Sequence, residues 1–298
     1  MPLAEGTMNG RVCVLTGASS GIGRATALEL ARRGAALALV CRDRTRGEET
    51  CAAVRADSGN TQVVLHLADL SSQAELRRLA AELLGQYPRI DVLVNNAGVV
   101  NLQRQLTVDG IETVFAVNHL AYFLLTNLLL DRLRQSRGAR IVNVASDAHR
   151  WGELDFDDLQ NQRSYRAMRV YGQSKLCNVL FTRELARRLA GSDVTANCLH
   201  PGAVATQLGQ NNGWWARLII KGLRPFFRTP EQGAATSIYL ACSPEVNGIN
   251  GKYFVNCREA RPSSSAQDDE AAARLWEISN DLTAVPAASN PQPLTAKP

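Results

Sequence analysis

No C-x-x-C pair, no membrane-length apolar run, no stripe of one charge and no internal repeat occur in this chain of 298 residues. Each absence removes a class of protein. The cysteines Cys13, Cys41, Cys51, Cys177, Cys198, Cys242 and Cys257 are odd in number, and several lie inside apolar runs. They read as reduced core thiols of a cytosolic protein rather than a disulfide framework. The first ten residues hold no apolar core of the kind a secretory leader needs, so the expected compartment is the cytoplasm. The nearest approach to a membrane span, Leu120 to Leu130, is short and broken by Tyr122, Thr126 and Asn127. It reads as a buried helix of a soluble protein. A net charge of +5 with scattered arginines lacks the concentrated basic face and recognisable module of a nucleic-acid binder. No His/Cys cluster has ligand spacing, so no metal is expected.

Hydrophobic residues make up 45% of the chain and charged residues 20%, enough to build a sizeable core. Short apolar runs alternate with longer Ala/Leu/Arg/Glu-rich stretches at helical spacing. Strands are expected at Arg11–Thr16, Ala36–Cys41, Thr61–His66, Val92–Asn95, Arg140–Ala145 and Thr195–His200, with a last one near Lys252–Val255. Most are apolar throughout, as parallel strands covered on both faces must be. Helices are expected at Arg24–Arg33, Gln73–Leu84, Val108–Leu133 and Tyr171–Leu189. The alternation implies an α/β fold, a doubly wound parallel sheet of about seven strands flanked by helices. After Arg258 the composition turns polar: a linker, an amphipathic helix over Glu270–Leu282 carrying Leu275, Trp276 and Ile278, and then a tail, residues 284–298, too poor in apolar groups to fold.

The first strand runs into Thr16-Gly17-Ala-Ser19-Ser20-Gly21-Ile22-Gly23, and a helix pattern begins at once. Gly17 suits the tight turn, Gly21 the close approach of backbone to a pyrophosphate, and Gly23 the helix–strand contact. The helix N-terminus then offers N–H groups and partial positive charge to the anion. At the end of the second strand an acid would bind a ribose hydroxyl and an arginine a 2′-phosphate. Here Cys41 takes the acid's place and Arg42 follows, pointing to NADP(H). Asp43 is the competing reading, favouring NAD if the register slips.

Tyr171 and Lys175 are four residues apart on an expected helix and so share a face. A tyrosine must be shifted by about three pKa units, roughly 4 kcal/mol, to act as a base at neutral pH. An ammonium about 4 Å away at an effective dielectric of 20 supplies roughly that much. Ser146 lies just past the carboxyl end of a strand, the edge where open α/β sheets bind ligands. Asn118, in an apolar helix, is either a satisfied core group or a link in a proton path. Asn95-Asn-Ala97-Gly98 and Pro201-Gly202 follow strands on the same edge.

Taken in order, TGASSGIG, Asn95-Asn-Ala-Gly98, Asn118, Ser146, Tyr171-x-x-x-Lys175 and Pro201-Gly202 resemble the short-chain dehydrogenase/reductase superfamily over about residues 10–257. The resemblance implies a single-domain Rossmann fold, with residues 8–257 as the NADP-binding catalytic domain and 258–283 as a C-terminal linker and helix. It implies Asn118, Ser146, Tyr171 and Lys175 as a catalytic tetrad, Lys175 also holding the nicotinamide ribose. Asp69, with Leu70 beside it, matches the adenine contact, Thr206 the carboxamide contact and Val204 the nicotinamide-facing position. Asp-Leu-Gln at 158–160, the segment Gln173–Ala186 and His200-Pro-Gly are similar to the retinol dehydrogenase group, which prefers NADP(H) and handles retinoids and lipid-like aldehydes. Two departures stand out: many members carry an N-terminal membrane anchor, not seen here, and Ala145 stands where Ser is common.

The expected substrate is therefore a hydrophobic carbonyl or alcohol, reduced or oxidised with Tyr171 as acid/base. Reduction of a pigment-like ring double bond and a non-catalytic NADP-sensing role are the alternatives. The segment 206–229, with Trp214, Trp215, Phe226 and Phe227 among Arg217, Lys221, Arg224 and Arg228, is expected to cap the substrate. The same pattern also suits weak contact with an anionic membrane surface, or a helix packed on the core. His149 and Trp151 are candidates for the pocket lining. In this superfamily the helices Val108–Leu133 and Tyr171–Leu189 often pair subunits, which implies a homodimer or homotetramer.

Overall fold

The β-branched and apolar runs that cannot be half-wet become the interior strands of one sheet. The structure, a computed structural model, describes residues 7–203 and 228–284. Parallel strands β1 (Val12–Thr16), β2 (Ala36–Cys41), β3 (Val63–Leu67), β4 (Val92–Asn95), β5 (Arg140–Val144), β6 (Thr195–His200) and β7 (Tyr253–Val255) run in the order β3-β2-β1-β4-β5-β6-β7. Strand order reverses between β1 and β4, and the crevice at their carboxyl ends is where such sheets take ligands.

Among the described residues the sheet has eight strands, against the expectation of about seven. β8 (Arg258–Ala260) returns antiparallel to β7 through Asn256 and Cys257, whose φ values are +53° and +59°. Two successive left-handed residues make a tight hairpin. Cysteine in that role carries no turn signature, so the linker expected from Arg258 begins instead as an edge strand.

Helices α1 (Gly21–Arg32), α2 (Arg44–Ser58) and, later in the chain, α6 (Pro230–Cys242) pack on one face of the sheet. α3 (Gln73–Gln86), α4 (Thr113–Gln135) and α5 (Ala167–Arg188) pack on the other. α4 begins at Thr113, not Val108, because the Glu112 carboxylate caps it, accepting from Val114 N and Phe115 N at 2.8 Å each. It is apolar and long enough to cross a membrane by length and composition, but 83% of its apolar stretch is buried against the protein. That burial is what a core helix shows.

α7 (Asp269–Thr283) lies over α5. Trp276 packs edge-on to Phe123 at 4.8 Å and stacks on Phe181 at 5.8 Å, with the Arg188 guanidinium over its ring. Part of the α4/α5 surface expected to pair subunits is thus covered by the chain's own helix.

Candidate active site

Gly17 has φ +68°, and a Cβ there would stand 2.7 Å from Ala97 Cα. A Cβ on Gly23 would stand 2.1 Å from Gly17 O. Only glycine permits this contact of the first loop with the Asn95–Gly98 loop. Thr16 seals the same contact, its Oγ1 accepting from Asn96 N at 2.9 Å and Ala97 N at 3.2 Å. Asn96 Nδ2 donates to Thr16 O and Gly17 O. Thr16 and Asn96 lie within the quoted motifs, but their roles were not legible in the sequence because their side chains bond main-chain groups of a segment some 80 residues away.

Ser20 precedes α1 in extended conformation and its side chain makes no cap, so the first turn faces the crevice edge without a side-chain acceptor from Ser20. Ser19, Ser20, Gly21 and Ile22 are all partly exposed there. At the end of β2, Cys41 is buried, its thiol pushed up to about 11 mainly by that burial. Arg42 is exposed beside it. The rival, Asp43, is committed: its carboxylate caps α2 by accepting from Arg46 N at 2.9 Å. Asp69 and Leu70 sit partly exposed past β3, with Asp69 Oδ1 accepting from Ser71 N and Oγ. Glycines that admit no Cβ, an uncapped helix start and a β2 end without a free acid fit a dinucleotide.

Asn95, at the end of β4, spends its side chain inside the fold. Its side chain is fully buried and Nδ2 donates to Thr126 Oγ1 at 3.0 Å and Asn143 Oδ1 at 2.9 Å. Asn143 continues to Thr182. β4 points this side chain toward α4 rather than the crevice, so the side chain pins strand to helix. Ala97 and Gly98 remain on the crevice edge.

Asn118 lies in a π turn, Ala116–Leu120, inside α4. One extra residue per turn re-aims side chains, and such turns gather at functional sites. Asn118 Oδ1 accepts from Val99 N at 2.8 Å; Nδ2 donates to Val99 O and to Ser174 Oγ, both at 3.0 Å. Ser146 closes β5 and starts a 3-10 turn, Asp147–Trp151. Two histidines seat it: His149 Nδ1 is 2.7 Å from Ser146 O, and His200 Nδ1 accepts from Asp147 N at 3.0 Å. His149 Nε2 in turn accepts from Ser263 N at 3.1 Å, so both its nitrogens are occupied in structure. Trp151, half-exposed, comes within 3 Å of where a Cβ on Gly172 would stand.

α5 begins at Ala167, which puts Tyr171 in its second turn rather than at its opening. The i, i+4 face is kept, and Lys175 Nζ lies 5.6 Å from the Tyr171 ring centre. Nζ donates to Val144 O at 3.0 Å and stands 5.9 Å from the Tyr122 ring, while Tyr122 donates to Ala97 O at 2.8 Å. A Cβ on Gly98 would meet Asn118 Oδ1 at 3.4 Å and Lys175 Nζ at 3.6 Å. Asn118, Ser146, Tyr171 and Lys175 therefore converge on one spot at the carboxyl edge.

The electrostatics differ from the sequence expectation. Burial pushes Tyr171 up to about 12, with a hydrogen bond from Ser146 pulling the other way, and pushes Lys175 down to about 7. Inside the protein alone, desolvation is the largest influence on both groups. Tyr171 rests as a neutral phenol.

Gly202 has φ +88° and packs against the Arg228 side chain, with Pro201 beside it partly exposed. Arg228, counted above among basic residues suited to a membrane surface, is tied to Asn256 Oδ1 at 2.6 Å. Val204, Thr206 and most of the segment 206–229 lie outside the described residues.

The fold and this edge define an oxidoreductase of alcohol and carbonyl groups: residues 11–216 match the family model for short chain dehydrogenase, and the chain belongs to that family. Within it the chain falls in the retinol dehydrogenase branch. It is 46% identical to retinol dehydrogenase 14 of Mus musculus, covering 94% of this chain and 88% of that protein. It is 44% identical to retinol dehydrogenase 13 of Homo sapiens, covering 98% and 90%. A solved structure of a Mycobacterium Paratuberculosis protein matches with TM-score 0.76 and 35% identity over 93% of this chain and 94% of that one. The RhlG/NADP active-site complex of Pseudomonas aeruginosa matches with TM-score 0.67 and 28% identity over 85% and 97%.

Proposed function

We propose that this chain is an NADP(H)-dependent oxidoreductase that interconverts the carbonyl and alcohol forms of a hydrophobic small molecule, with Tyr171 as acid/base. The convergence of Asn118, Ser146, Tyr171 and Lys175 beside Gly98 carries the reading. The relatives' names favour a retinoid as the substrate, with a lipid-like aldehyde or ketone as the wider class. The large apolar side chains exposed among the described residues, Leu102, Leu106, Val108, Trp151 and Met168, favour it too. They come from the loop after β4, the turn after Ser146 and the start of α5, all segments that flank the site.

The nicotinamide, when bound, supplies or accepts the hydride at the substrate carbon. Ser146 holds the substrate oxygen by hydrogen bond. The neutral Tyr171 phenol donates its proton to that oxygen during reduction, and the phenolate takes it back during oxidation. Lys175 stabilises the phenolate as it forms and, with its Nζ anchored on Val144 O, holds the cofactor ribose. Asn118 keeps the main chain of Val99 and the hydroxyl of Ser174 in place along the proton's route to solvent. NADP is preferred because Arg42 is free to fork onto a 2′-phosphate while Asp43 is spent on a helix cap.

The test pairs retinal, medium-chain aldehydes and ketosteroids with NADPH and NADH. Turnover with NADPH, lowered by about 10²–10⁴ in Tyr171→Phe with binding of NADPH kept, is the expected outcome. A wild-type protein that binds NADPH and reduces none of them would instead be a cofactor sensor.

A further inference from the structure

His119 follows Asn118 within the π turn and is wholly buried. Phe115, Phe181 and Phe123 surround it at 5.2, 6.1 and 6.5 Å between ring centres. An imidazole in an aromatic cage costs free energy unless its nitrogens find partners. Nε2 lies 2.8 Å from Ser279 Oγ on α7, 160 residues away in sequence. The Ser279 hydroxyl spends its one proton on Leu275 O at 2.7 Å, so it accepts from His119 Nε2–H. Burial holds His119 near 3, hence neutral, and this bond fixes its tautomer.

The other nitrogen of His119, Nδ1, and the nearby Asn178 Oδ1 are both buried without a hydrogen-bond partner among the described residues. Asn178 Nδ2 lies 3.5 Å from Val144 O, the same carbonyl that seats Lys175 Nζ. His119 therefore stands between α7 and the site, since Asn118 precedes it in the π turn. α7 is itself fixed at its far end, where Gln73 Nε2 donates to Leu282 O at 2.9 Å and Arg77 to Thr283 O.

Resting on the function proposed above, we infer that α7 is part of the site's positioning machinery. Ser279, acting through His119, holds the π turn in the register that keeps Asn118 on Val99 and Ser174. Ser279 and His119 are positioning residues; neither touches substrate. A π turn is wider than the helix on either side of it and relaxes toward α-geometry unless tertiary contacts hold it. The bond to α7 is such a contact, made at the residue next to Asn118.

The experiment uses the full chain with Ser279→Ala, His119→Phe and His119→Gln. Phe keeps the aromatic packing and deletes the bond; Gln restores an amide donor at about the reach of Nε2. Native-state hydrogen exchange reads the π turn with no substrate present. Amides of residues 116–120 and of Val99 are expected to exchange about tenfold faster in Ser279→Ala and His119→Phe, with β1–β3 unchanged and Gln close to wild type. In turnover, kcat is expected to fall about tenfold while KM for NADPH stays within about twofold, with Gln again restoring most of the loss.

Folded Ser279→Ala and His119→Phe proteins with wild-type exchange at 116–120 overturn the inference. So does exchange that rises equally across the whole sheet, which is loss of global stability alone. A wild type without turnover refutes the proposed function, and the exchange result then decides the inference by itself.

Discussion

Lys175 Nζ donates to a neutral main-chain carbonyl, Val144 O, from a buried position. A carbonyl returns only part of the hydration an ammonium loses, so its pKa falls from the usual lysine value to about 7. The folded protein then binds fewer protons at this site than the unfolded chain between about pH 7 and the normal lysine range. The burial penalty is full below pH 7 and is relieved as pH rises through that window. Tyr171, raised to about 12, acts oppositely, but only from about pH 10 upward. Wild type is therefore expected to gain stability relative to Lys175→Met on going from pH 7 to pH 9.5, by up to a few kcal/mol. Urea unfolding at the two pH values checks it; equal differences at both would show that Lys175 keeps an ordinary pKa in the fold.

Elements place these residues by their ends and irregularities. The β2–α2 junction turns on a cap: Asp43 ends up holding Arg46 N, and Arg42 is left as the exposed cation beside the buried Cys41. Arg42→Ala is expected to weaken NADPH about 10- to 100-fold, the worth of a charge-assisted contact, and leave NADH nearly unchanged. Titration of intrinsic fluorescence with each cofactor reads this, and an equal loss for both would return Arg42 to a mere surface group. The glycine loop was legible as a strand–glycine–helix sequence because glycine's special backbone is written in its identity. The π turn was not legible. Val117-Asn118-His119 fits an α-helix by pattern, and the extra residue per turn arises from contacts with Val99, Ser174 and Ser279 that lie far away in sequence.

For the molecule as a whole, α7 changes the picture drawn from its composition. Trp276 is buried between Phe123 and Phe181, so the chain covers part of its own α4/α5 face. Trp276→Ala is expected to cost about 3–5 kcal/mol, a cavity in a shared aromatic cluster. Guanidinium unfolding measures it, and a loss below about 1 kcal/mol would mean that α7 is only loosely docked. Any association of copies would have to use a surface other than the patch beneath Trp276; a cross-link between copies through Cys introduced at Phe181 would contradict this.

The sequence by itself determined the α/β alternation, the glycine loop, the Tyr171–Lys175 spacing and the placement of Ser146 past a strand. These depend on local chemistry: apolar runs make buried strands, glycine permits positive φ, and a helix brings i and i+4 to one face. The tertiary structure decided what each side chain spends its hydrogen bonds on. It turned Asn95 into a strand pin and Asp43 into a cap, set His149 and His200 beneath Ser146, and buried the Tyr171–Lys175 pair deeply enough that desolvation rules its protonation. Such outcomes depend on which groups from distant segments arrive at the same place, and on how much water they exclude when they do.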